Sequence, residues 1–323
     1  MPAQDLPSPG RLSPGTLFVS ATSPLANHTT IQSAIASLPH DATAHTILIA
    51  PGTYIEQLNV TRPGPLTLLG QTNAPFPNGS APYADVHSDT DHANEVTVVW
   101  SRANADSTGK ITDNAVTSVL TVAPTWEAAL TGTGPTGYPV SPSTPPGSRD
   151  FRLYNVDLRN LASDRSVGPA LALGWATRAL VSTAAGTNTT FPNKYGAYIS
   201  SSRVIAANST IGAAIEGQCP LGRPWNALHR SVFMNSYLDA SILPAGYIQW
   251  QDTDPRFDAA TTLEAVYRNQ GPGYDEAAMG GSNVTTVLND TSVEPYASPR
   301  DVFMGWEGEP DDLSWIDNRV LRV

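Results

Sequence analysis

The hydrophobic positions of this sequence fall into short runs rich in β-branched and aromatic residues, separated by Pro, Gly and Asn. Such runs, without long helices between them, predict strands and argue against a doubly wound sheet. A first short run, Leu17–Val19, also predicts a strand. Six further runs carry the pattern: Ile47–Ala50, Gln57–Val60, Leu66–Leu69, Val96–Trp100, Ser118–Val122 and Phe151–Leu158. The protein is therefore predicted to be mostly β.

One segment near the N-terminus has a helical pattern instead. Its apolar positions within residues 31–38 are spaced i, i+3, i+4 and i+7, as on one face of a helix. Thr29 or Thr30 can cap its N-terminus, and Pro39 ends it. A helix with a single apolar face needs another surface to cover.

Several runs end in Asn or Asp, as in LYNVDLRN and AANST, which suits tight corners where left-handed backbone geometry is tolerated. A coil of stacked strands buries its inward residues between neighbouring turns and needs a cap at its open end, which the helix at 31–38 would supply. The insertions at 73–95 and 125–149 hide any regular repeat. The residues by themselves leave open a parallel β-helix and an antiparallel sandwich.

The length and composition fit one elongated domain. A chain of 323 residues is normal for a single solenoid, and 40% hydrophobic with 15% charged residues is typical of an ordered protein. Residues 1–16 are rich in Pro, Ser and Gly and are predicted to be a flexible lead-in. We therefore expect one domain over residues 17–323, and a monomer.

The net charge of the protein excludes some classes of binding partner. A net charge of -11 and a pI near 4.8 argue against nucleic acid and anionic membrane surfaces. No apolar run is long enough to span a bilayer. Cys219 is the single cysteine, which excludes an intrachain disulfide, and the six histidines lack metal-ligand or Ser-His-Asp spacing. We expect no metal and no cofactor.

The sequence also carries signs of secretion. An acidic protein with several glycosylation motifs suits an extracellular location. The N-terminus lacks the basic and then apolar pattern of a signal peptide, so a leader has been removed, or export takes another route or does not occur. Seven Asn residues begin an N-x-[ST] motif: Asn27, Asn59, Asn78, Asn188, Asn208, Asn283 and Asn289.

The least generic stretch is Cys219–Trp250, and Arg223 is its main candidate for a binding residue. The guanidinium of Arg223 is always charged and presents a fork of donors that suits a carboxylate. Pro224 restricts the backbone of Arg223, so the fork is aimed before a ligand arrives. Trp225 offers a ring that could stack on a sugar or pack inward.

These residues resemble those of the pectinesterase (pectin methylesterase) family, fungal type. The similar segments are LGRPW at Leu221–Trp225, DASILPAGYIQW at Asp239–Trp250 and GTYIE at Gly52–Glu56. The resemblance implies an all-β, right-handed parallel β-helix (pectin lyase-like) with a short N-terminal capping helix, and a C-terminal wrap after Trp250. It further implies a secreted hydrolase that removes methyl esters from pectin, releases methanol and uses no cofactor.

In the family that the chain resembles, the arginine of LGRPW holds a nucleophilic aspartate, a second aspartate is the general acid and base, and a glutamine-lined pocket receives the oxyanion. The segments that carry the aspartates are absent before Arg223, where only Gly174–Ala185, without an acid, remains. A Gln-Asp-Thr match at 251–253 lies after Arg223 instead, and we interpret it as chance. The chain could thus be an active enzyme, a β-helix that only binds pectin, or a truncated gene product.

Three other acids could stand in for the missing aspartates, but each has a simpler interpretation. Asp157 is expected to be an exposed strand or corner residue. Glu216 is expected to form an ordinary ion pair with Arg223. Asp239 is expected to cap a corner or to contact Arg230.

Overall fold

The structure is a computed structural model, and it falls into two compact units, which are described separately: residues 1–78 with 92–182, and residues 79–91 with 183–323. The prediction of a single domain over residues 17–323 stays a prediction. The residues that the structure describes are 15–71, 94–103, 113–123, 125–130, 151–162, 173–175 (backbone only), 196–206, 209–224, 227, 229–303 and 313.

Strands dominate the described ranges. In the first unit they are β1 (Thr16–Val19), β2 (His45–Ile49), β3 (Gly52–Ile55), β4 (Leu58–Val60), β5 (Leu66–Gly70), β6 (Val96–Trp100), β7 (Leu120–Val122), β8 (Phe151–Tyr154), β9 (Val156–Asn160) and β10 (Leu173–Trp175). In the second they are β11 (Ala197–Ser200), β12 (Arg203–Val204), β13 (Arg230–Met234), β14 (Tyr237–Leu238), β15 (Leu263–Tyr267) and β16 (Thr286–Val287).

The helices in the described ranges are short. They are α1 (Ile31–Ser37), α2 (Trp126–Ala129), α3 (Ser209–Ala214), α4 (Glu276–Gly280) and α5 (Pro299–Val302), with 3₁₀ turns at Asn114–Thr117 and Glu294–Tyr296. Among them, none is long and apolar enough to cross a membrane.

The first unit is a coil of parallel strands. Along the chain, β2, β3 and β4 belong to three different sheets, and β5, β6 and β7 and then β8, β9 and β10 return to the same three in the same order. Every strand pair is parallel and in register, so that Leu17, Ile47, Leu68 and Leu153 stack on one another. This cyclic order is that of a parallel β-helix, and it excludes the antiparallel sandwich.

The sharp corner between β8 and β9 corrects one prediction. The run Phe151–Leu158 was expected to form one strand, but Asn155 adopts φ 55° and divides it. Asparagine tolerates this left-handed geometry better than most residues, so the chain turns there into the next sheet. The corner is tightly packed, because a Cβ on Gly70 would lie 2.1 Å from the Asn155 carbonyl oxygen.

The predicted N-terminal helix is confirmed as α1. The Thr30 side chain accepts a hydrogen bond from the Ser33 N–H and caps the helix. The Glu56 carboxylate accepts further bonds from the N–H groups of Ile31 and Gln32, at 2.9 and 2.8 Å. The buried face of α1 packs into the core of the first unit, which it shares with β1, β2 and β4.

The second unit repeats the same construction. One sheet contains β11, β13, β15 and β16 in parallel order, and a second pairs β12 with β14. The corners after the first three strands of the larger sheet fall at Ser201, Asn235 and Arg268, which all have positive φ, at 49, 49 and 45°. The turns of this coil therefore bend at stacked positions.

The part of the chain after Trp250 corrects a second expectation. It was predicted to wrap along the side of the coil, but β15 pairs with β13 over its whole length and so adds a turn to the coil itself. The hydrophobic run LEAVY was long enough to be a strand, and its match in register to β13 decided its place. A wrap by the rest of this segment stays a prediction.

Candidate functional site

The backbone of the second unit holds the Arg223 segment against the segment that ends at Trp250. The Leu221 N–H donates to the Gly246 carbonyl at 2.9 Å, and the Ile248 N–H donates to the Gly222 carbonyl at 3.1 Å. Glycine at 222 leaves room for the buried Tyr247 ring, because a Cβ there would lie 3.2 Å from it, a tight contact. This pairing brings residue 223 beside residue 250, although they are far apart in sequence.

Arg223 contacts the Trp250 ring. Its guanidinium carbon is 4.1 Å from the Trp250 ring centroid, a cation-π contact, and its Nη1 donates to the Trp250 carbonyl oxygen at 3.5 Å. The side chain is exposed, while Pro224 beside it is buried. The backbone at Arg223 is therefore held in place, while most N–H donors of its guanidinium are open to solvent.

A second guanidinium lies on the same ring. The guanidinium carbon of Arg256 is 4.3 Å from the Trp250 centroid, and its Nε donates to the Asp254 carboxylate at 2.8 Å. A tight turn returns the chain to Trp250, whose N–H donates to the Pro255 carbonyl at 3.0 Å. Sequence reasoning missed Arg256, and the turn-forming Asp254-Pro255 pair was the one signal that could have indicated the return.

None of the three acids that could stand in for the missing aspartates contacts Arg223. The expected ion pair between Glu216 and Arg223 is wrong, because these two side chains form no ion pair in the described part of the chain and Glu216 is exposed. Asp157 lies half-buried in β9 and accepts hydrogen bonds from Asn94 and Arg159.

Asp239 caps a corner, as predicted. Its carboxylate accepts hydrogen bonds from the Ala206 N–H at 2.6 Å and from both the N–H and the hydroxyl of Ser241. The side chain is buried, so these bonds satisfy a charge that would otherwise be costly. Asp239 therefore has a structural role.

The Gln-Asp-Thr match at 251–253 lies in the turn that follows Trp250. All three residues are exposed, and the Asp252 carboxylate accepts a hydrogen bond from the Gln249 side-chain amide at 2.8 Å. Asp254 is paired with Arg256, whereas Asp252 has no cationic partner in the described part of the chain. The turn thus presents one unpaired carboxylate close in sequence to the ring on which Arg223 lies.

A separate polar cluster is buried in the second unit. His229 Nε2 lies 2.9 Å from the Ser231 hydroxyl, which donates to the Tyr247 hydroxyl at 3.0 Å. The nearest oxygen of Glu264 is 3.9 Å from the same His229 nitrogen. Glu264 is fully buried, and neither of its oxygens has a hydrogen-bond partner among the described residues.

Burial controls the charges of this cluster. It raises the pKa of Glu264 from its ordinary value near 4.5 to about 8, and it lowers the pKa of His229. Both shifts favour the neutral form, so at neutral pH the two groups are a carboxylic acid and a neutral imidazole.

The cluster is not a Ser-His-acid catalytic triad. In a triad the serine and the acid contact opposite nitrogens of the imidazole ring. Here Ser231 and Glu264 both approach Nε2 of His229, and Ser231 is buried and already bonded to Tyr247. The absence of a Ser-His-Asp site among the other histidines stays a prediction.

Two parts of the predicted site lie outside the described residues. They are Trp225 and most of Gly174–Ala185, where β10 gives only the backbone of the first two residues. Within the described ranges, no group of three or more His, Cys, Asp or Glu side chains is placed to hold a metal ion.

Comparisons with known proteins agree with this fold and segment. Residues 174–299 match the sequence model of the Pectinesterase family. The chain is 26% identical over 319 residues to probable pectinesterase A of Aspergillus niger, covering 82% of this chain and 83% of that protein. It is 38% identical over 78 residues to probable pectinesterase/pectinesterase inhibitor 17 of Arabidopsis thaliana, covering 24% of this chain and 15% of that protein.

A solved structure shares the fold. A pectin methylesterase crystallised in complex with a hexasaccharide has a TM-score of 0.56 and 18% sequence identity, covering 91% of this chain and 98% of that one. The cyclic strand order and this likeness define the chain as a parallel β-helix protein with the pectin methylesterase fold. Over residues 174–299 the chain is also similar to the pectinesterase family. It spans less than a fifth of the length of the first plant relatives that it matches.

Proposed function

We propose that this protein is a secreted pectin methylesterase, which hydrolyses the methyl esters of polygalacturonate and releases methanol. The observation that carries the proposal is the exposed Arg223 held on Trp250, within the segment that matches the pectinesterase family. The similarity to the Aspergillus niger pectinesterase over most of the chain supports it. The alternative, a β-helix that only binds pectin, has less support from the same relatives.

The charge of Arg223 suits this chemistry. Ester hydrolysis converts a neutral methyl ester and water into a carboxylic acid, which ionises, and methanol, through an intermediate with negative charge on oxygen. A fixed guanidinium stabilises such charge, because its donors are already oriented. Within the described residues, Arg223 donates one hydrogen bond, at 3.5 Å to the Trp250 carbonyl, which leaves its other N–H groups for substrate.

Asp252 is the acid that we propose to take part in the reaction. A nucleophilic or basic carboxylate must be ionised, accessible and not locked in an ion pair. Asp252 is exposed and accepts a hydrogen bond from Gln249, whereas Asp254 is bound by Arg256. We further propose that Trp225 contributes an apolar surface for the sugar chain.

The test is methanol release from highly esterified pectin. We expect the wild type to release methanol and R223A to lower kcat/KM about 100-fold, as loss of one preorganised donor to an oxyanion does. D252N should lower kcat, because the amide is isosteric but cannot carry the charge.

The matched control is R268A. Arg268 is also an exposed arginine on an aromatic ring, Tyr267, but it is paired with Asp290 at 3.0 Å. We expect R268A to keep wild-type activity. A wild type that releases no methanol yet is retained on a pectin column would refute hydrolysis and leave the pectin-binding alternative.

A further inference from the structure

The carboxyl group of Glu264 is buried without a hydrogen-bond partner among the described residues. Its side chain is fully buried, and both of its oxygens lack a donor there. It stacks in register on Ser231 of β13, so both side chains lie on the face of the sheet that Tyr247 covers. An unpaired buried carboxylate is costly, so ionisation of Glu264 would draw a nearby donor towards it.

The donor beside Glu264 is the Nε2 nitrogen of His229, which already makes another bond. It lies 3.9 Å from a Glu264 oxygen and 2.9 Å from the Ser231 hydroxyl. The Ser231 hydroxyl donates its proton to the Tyr247 hydroxyl at 3.0 Å, so the contact with His229 requires a proton on Nε2. One N–H group therefore has two acceptors near it, the Ser231 oxygen and the Glu264 carboxyl group.

Tyr247 connects this cluster to the segment that carries Arg223. Its hydroxyl donates to the Ser231 carbonyl at 3.2 Å, and its ring packs against Gly222. The residues on either side of it, 246 and 248, are hydrogen-bonded to residues 221 and 222. The backbone pairing that brings residue 223 beside residue 250 therefore includes a ring whose hydroxyl is held by Ser231.

Other charged groups near β15 are engaged elsewhere. Arg230 of β13 points to the opposite face of the sheet, where it interacts with Tyr198. The strand β16 carries no titratable side chain. The titratable groups beside Glu264 in the described part of the chain are therefore His229 and Tyr247. The acids of the segments that pack on the same core are bonded to other groups: Asp239 to Ala206 and Ser241, and Glu276 to Tyr274.

We propose that Tyr247 is a positioning residue of the esterase site, and that the buried cluster around Glu264 is a switch that releases it as the pH rises. While Glu264 is neutral, the His229 N–H is available to Ser231, and the chain of hydrogen bonds to Tyr247 is complete. Once Glu264 is ionised, its carboxylate takes this N–H, so Tyr247 is held less firmly and Arg223 with it. This inference deepens the proposed function and rests on it.

The switch acts in one direction of pH. Burial raises the pKa of Glu264 to about 8, so the carboxyl group is neutral near pH 6 and ionised near pH 9. Burial lowers the pKa of His229, and a protonated imidazole still carries the Nε2 proton that Ser231 accepts. Acid therefore leaves the chain of hydrogen bonds intact, whereas alkali removes its first donor.

Methanol release from esterified pectin between about pH 6 and pH 9, with an enzyme-free blank subtracted, tests the switch. Near pH 6 we expect E264Q to match the wild type, and Y247F to lower kcat about two- to tenfold, as loss of one hydrogen bond does. Near pH 9 the wild type should fall by a similar factor relative to E264Q, because glutamine cannot ionise. Y247F and the double variant Y247F/E264Q should have the same pH profile, since both lack the hydroxyl that the switch releases.

S231A breaks the chain of hydrogen bonds without changing the ring, so it should lower kcat near pH 6 and lack the further alkaline decline, as Y247F does. The matched control is Y274F, which removes a tyrosine hydroxyl of the same unit that bonds Glu276 at the surface. It should keep the wild-type activity and pH profile. An alkaline decline of equal size in the wild type and E264Q would overturn the switch. Activity of Y247F equal to the wild type near pH 6 would overturn the positioning role.

Hydrogen exchange of the full chain separates the switch from the esterase. At each pH, peptides that span residues 219–224 and 245–251 are compared between the wild type and E264Q. The switch predicts equal exchange near pH 6 and faster exchange in the wild type near pH 9. If methanol is released but both proteins have the same activity and exchange at each pH, the switch is refuted and the esterase stands. If no methanol is released but the exchange differs as expected, the esterase is refuted and the switch stands.

Discussion

In this protein, contacts between neighbouring segments of the coil determine the positions of individual residues. Gly222 is the clearest case, because it lets the Tyr247 ring approach where a Cβ would be 3.2 Å away. That approach accompanies the hydrogen bonds of Leu221 and Gly222 to Gly246 and Ile248. The packing at Gly222, one residue earlier, therefore helps to place Arg223 beside Trp250.

The protonation of Glu264 makes the stability of the folded protein depend on pH. Its pKa of about 8 means that the folded protein retains a proton that the unfolded chain releases above about pH 4.5. This contribution to stability is complete below the unfolded value and is lost as the pH rises through the folded value. His229 acts in the opposite sense, because burial lowers its pKa below 6.5 and its contribution is lost as the pH falls.

We predict that the E264Q variant lacks the loss of stability that the wild type shows as the pH rises. His229 contributes equally to both proteins, so relative to E264Q the wild-type free energy of unfolding should fall by up to about 1.4 kcal/mol per pH unit as the pH rises from about 4.5 to about 8. E264Q should lack this slope, because its amide has no charge to bury. Urea unfolding across this range measures the difference.

The control for this experiment is E216Q, which neutralises an exposed glutamate of the same unit. It should follow the wild-type curve. Parallel curves for the wild type and E264Q would mean that Glu264 is already ionised in the folded protein.

At the scale of the element, the corners of the second coil are tied together by stacked side chains. Ser201 and Asn235 turn the chain with positive φ at equivalent positions of β11 and β13. One residue further on, the Ser236 hydroxyl accepts a bond from the Ser202 N–H at 3.1 Å. Backbone groups that a corner leaves without ladder partners are thus paired by the next turn.

Asn269 is the strongest of these ties, and we predict that N269A destabilises the coil. Its side chain is buried, accepts from the Ser236 N–H and donates to the Phe233 carbonyl, both at 2.9 Å. Alanine would leave the Ser236 N–H buried and without this partner and would remove one of the bonds to the Phe233 carbonyl, at a cost of about 1–3 kcal/mol. Chemical denaturation measures this loss.

The adjacent residue, Gln270, provides the control substitution for N269A. Q270A alters an exposed side chain that makes no hydrogen bond of its own in the described residues. It should change the free energy of unfolding by less than about 0.5 kcal/mol. Equal effects of the two substitutions would show that the asparagine bonds contribute nothing.

At the scale of the whole molecule, the negative charge and the exposed sequons fit a protein that works outside the cell. Asn283 and Asn289 are exposed at the surface of the second unit. Asn59 is in β4, where its Oδ1 is buried and its backbone N–H and carbonyl are both bonded to Gln32. A glycan at Asn59 would not fit the folded strand.

We predict that secretion from a eukaryotic host glycosylates Asn283 and Asn289 but leaves Asn59 free. N283Q and N289Q should each remove the mass of one glycan, and N59Q should change no glycan. Peptide mass spectrometry before and after endoglycosidase treatment measures this. A glycopeptide that contains Asn59 in the folded, secreted protein would contradict the structure.

Much of this architecture could be predicted from short-range patterns. The helix at 31–37 followed from apolar spacing and a Thr cap, and the short β-strands followed from β-branched and aromatic runs. Both depend on interactions within a few residues, which the sequence displays directly. The division of residues 151–160 into two strands was missed, because the same apolar run suits one long strand or two short ones.

The site was predicted only in part. Arg223 was found because it lies in a distinctive local motif, and it is exposed beside an aromatic ring. Arg256 was not found, since its neighbours in sequence reveal nothing of its contact with Trp250. The expected partner of Arg223, Glu216, was chosen for closeness in sequence, which is a poor guide where each turn of a coil separates neighbours by tens of residues.

The sequence by itself determined the strands, the first helix and the corners, because these are fixed by hydrophobic period, capping and backbone preference. Tertiary structure alone decided which strands stack, that β15 joins the coil, and that two guanidinium groups share one indole. The physical reason is that these contacts come from the register between successive turns. That register depends on the packing of side chains far apart in the chain, and no local window contains it.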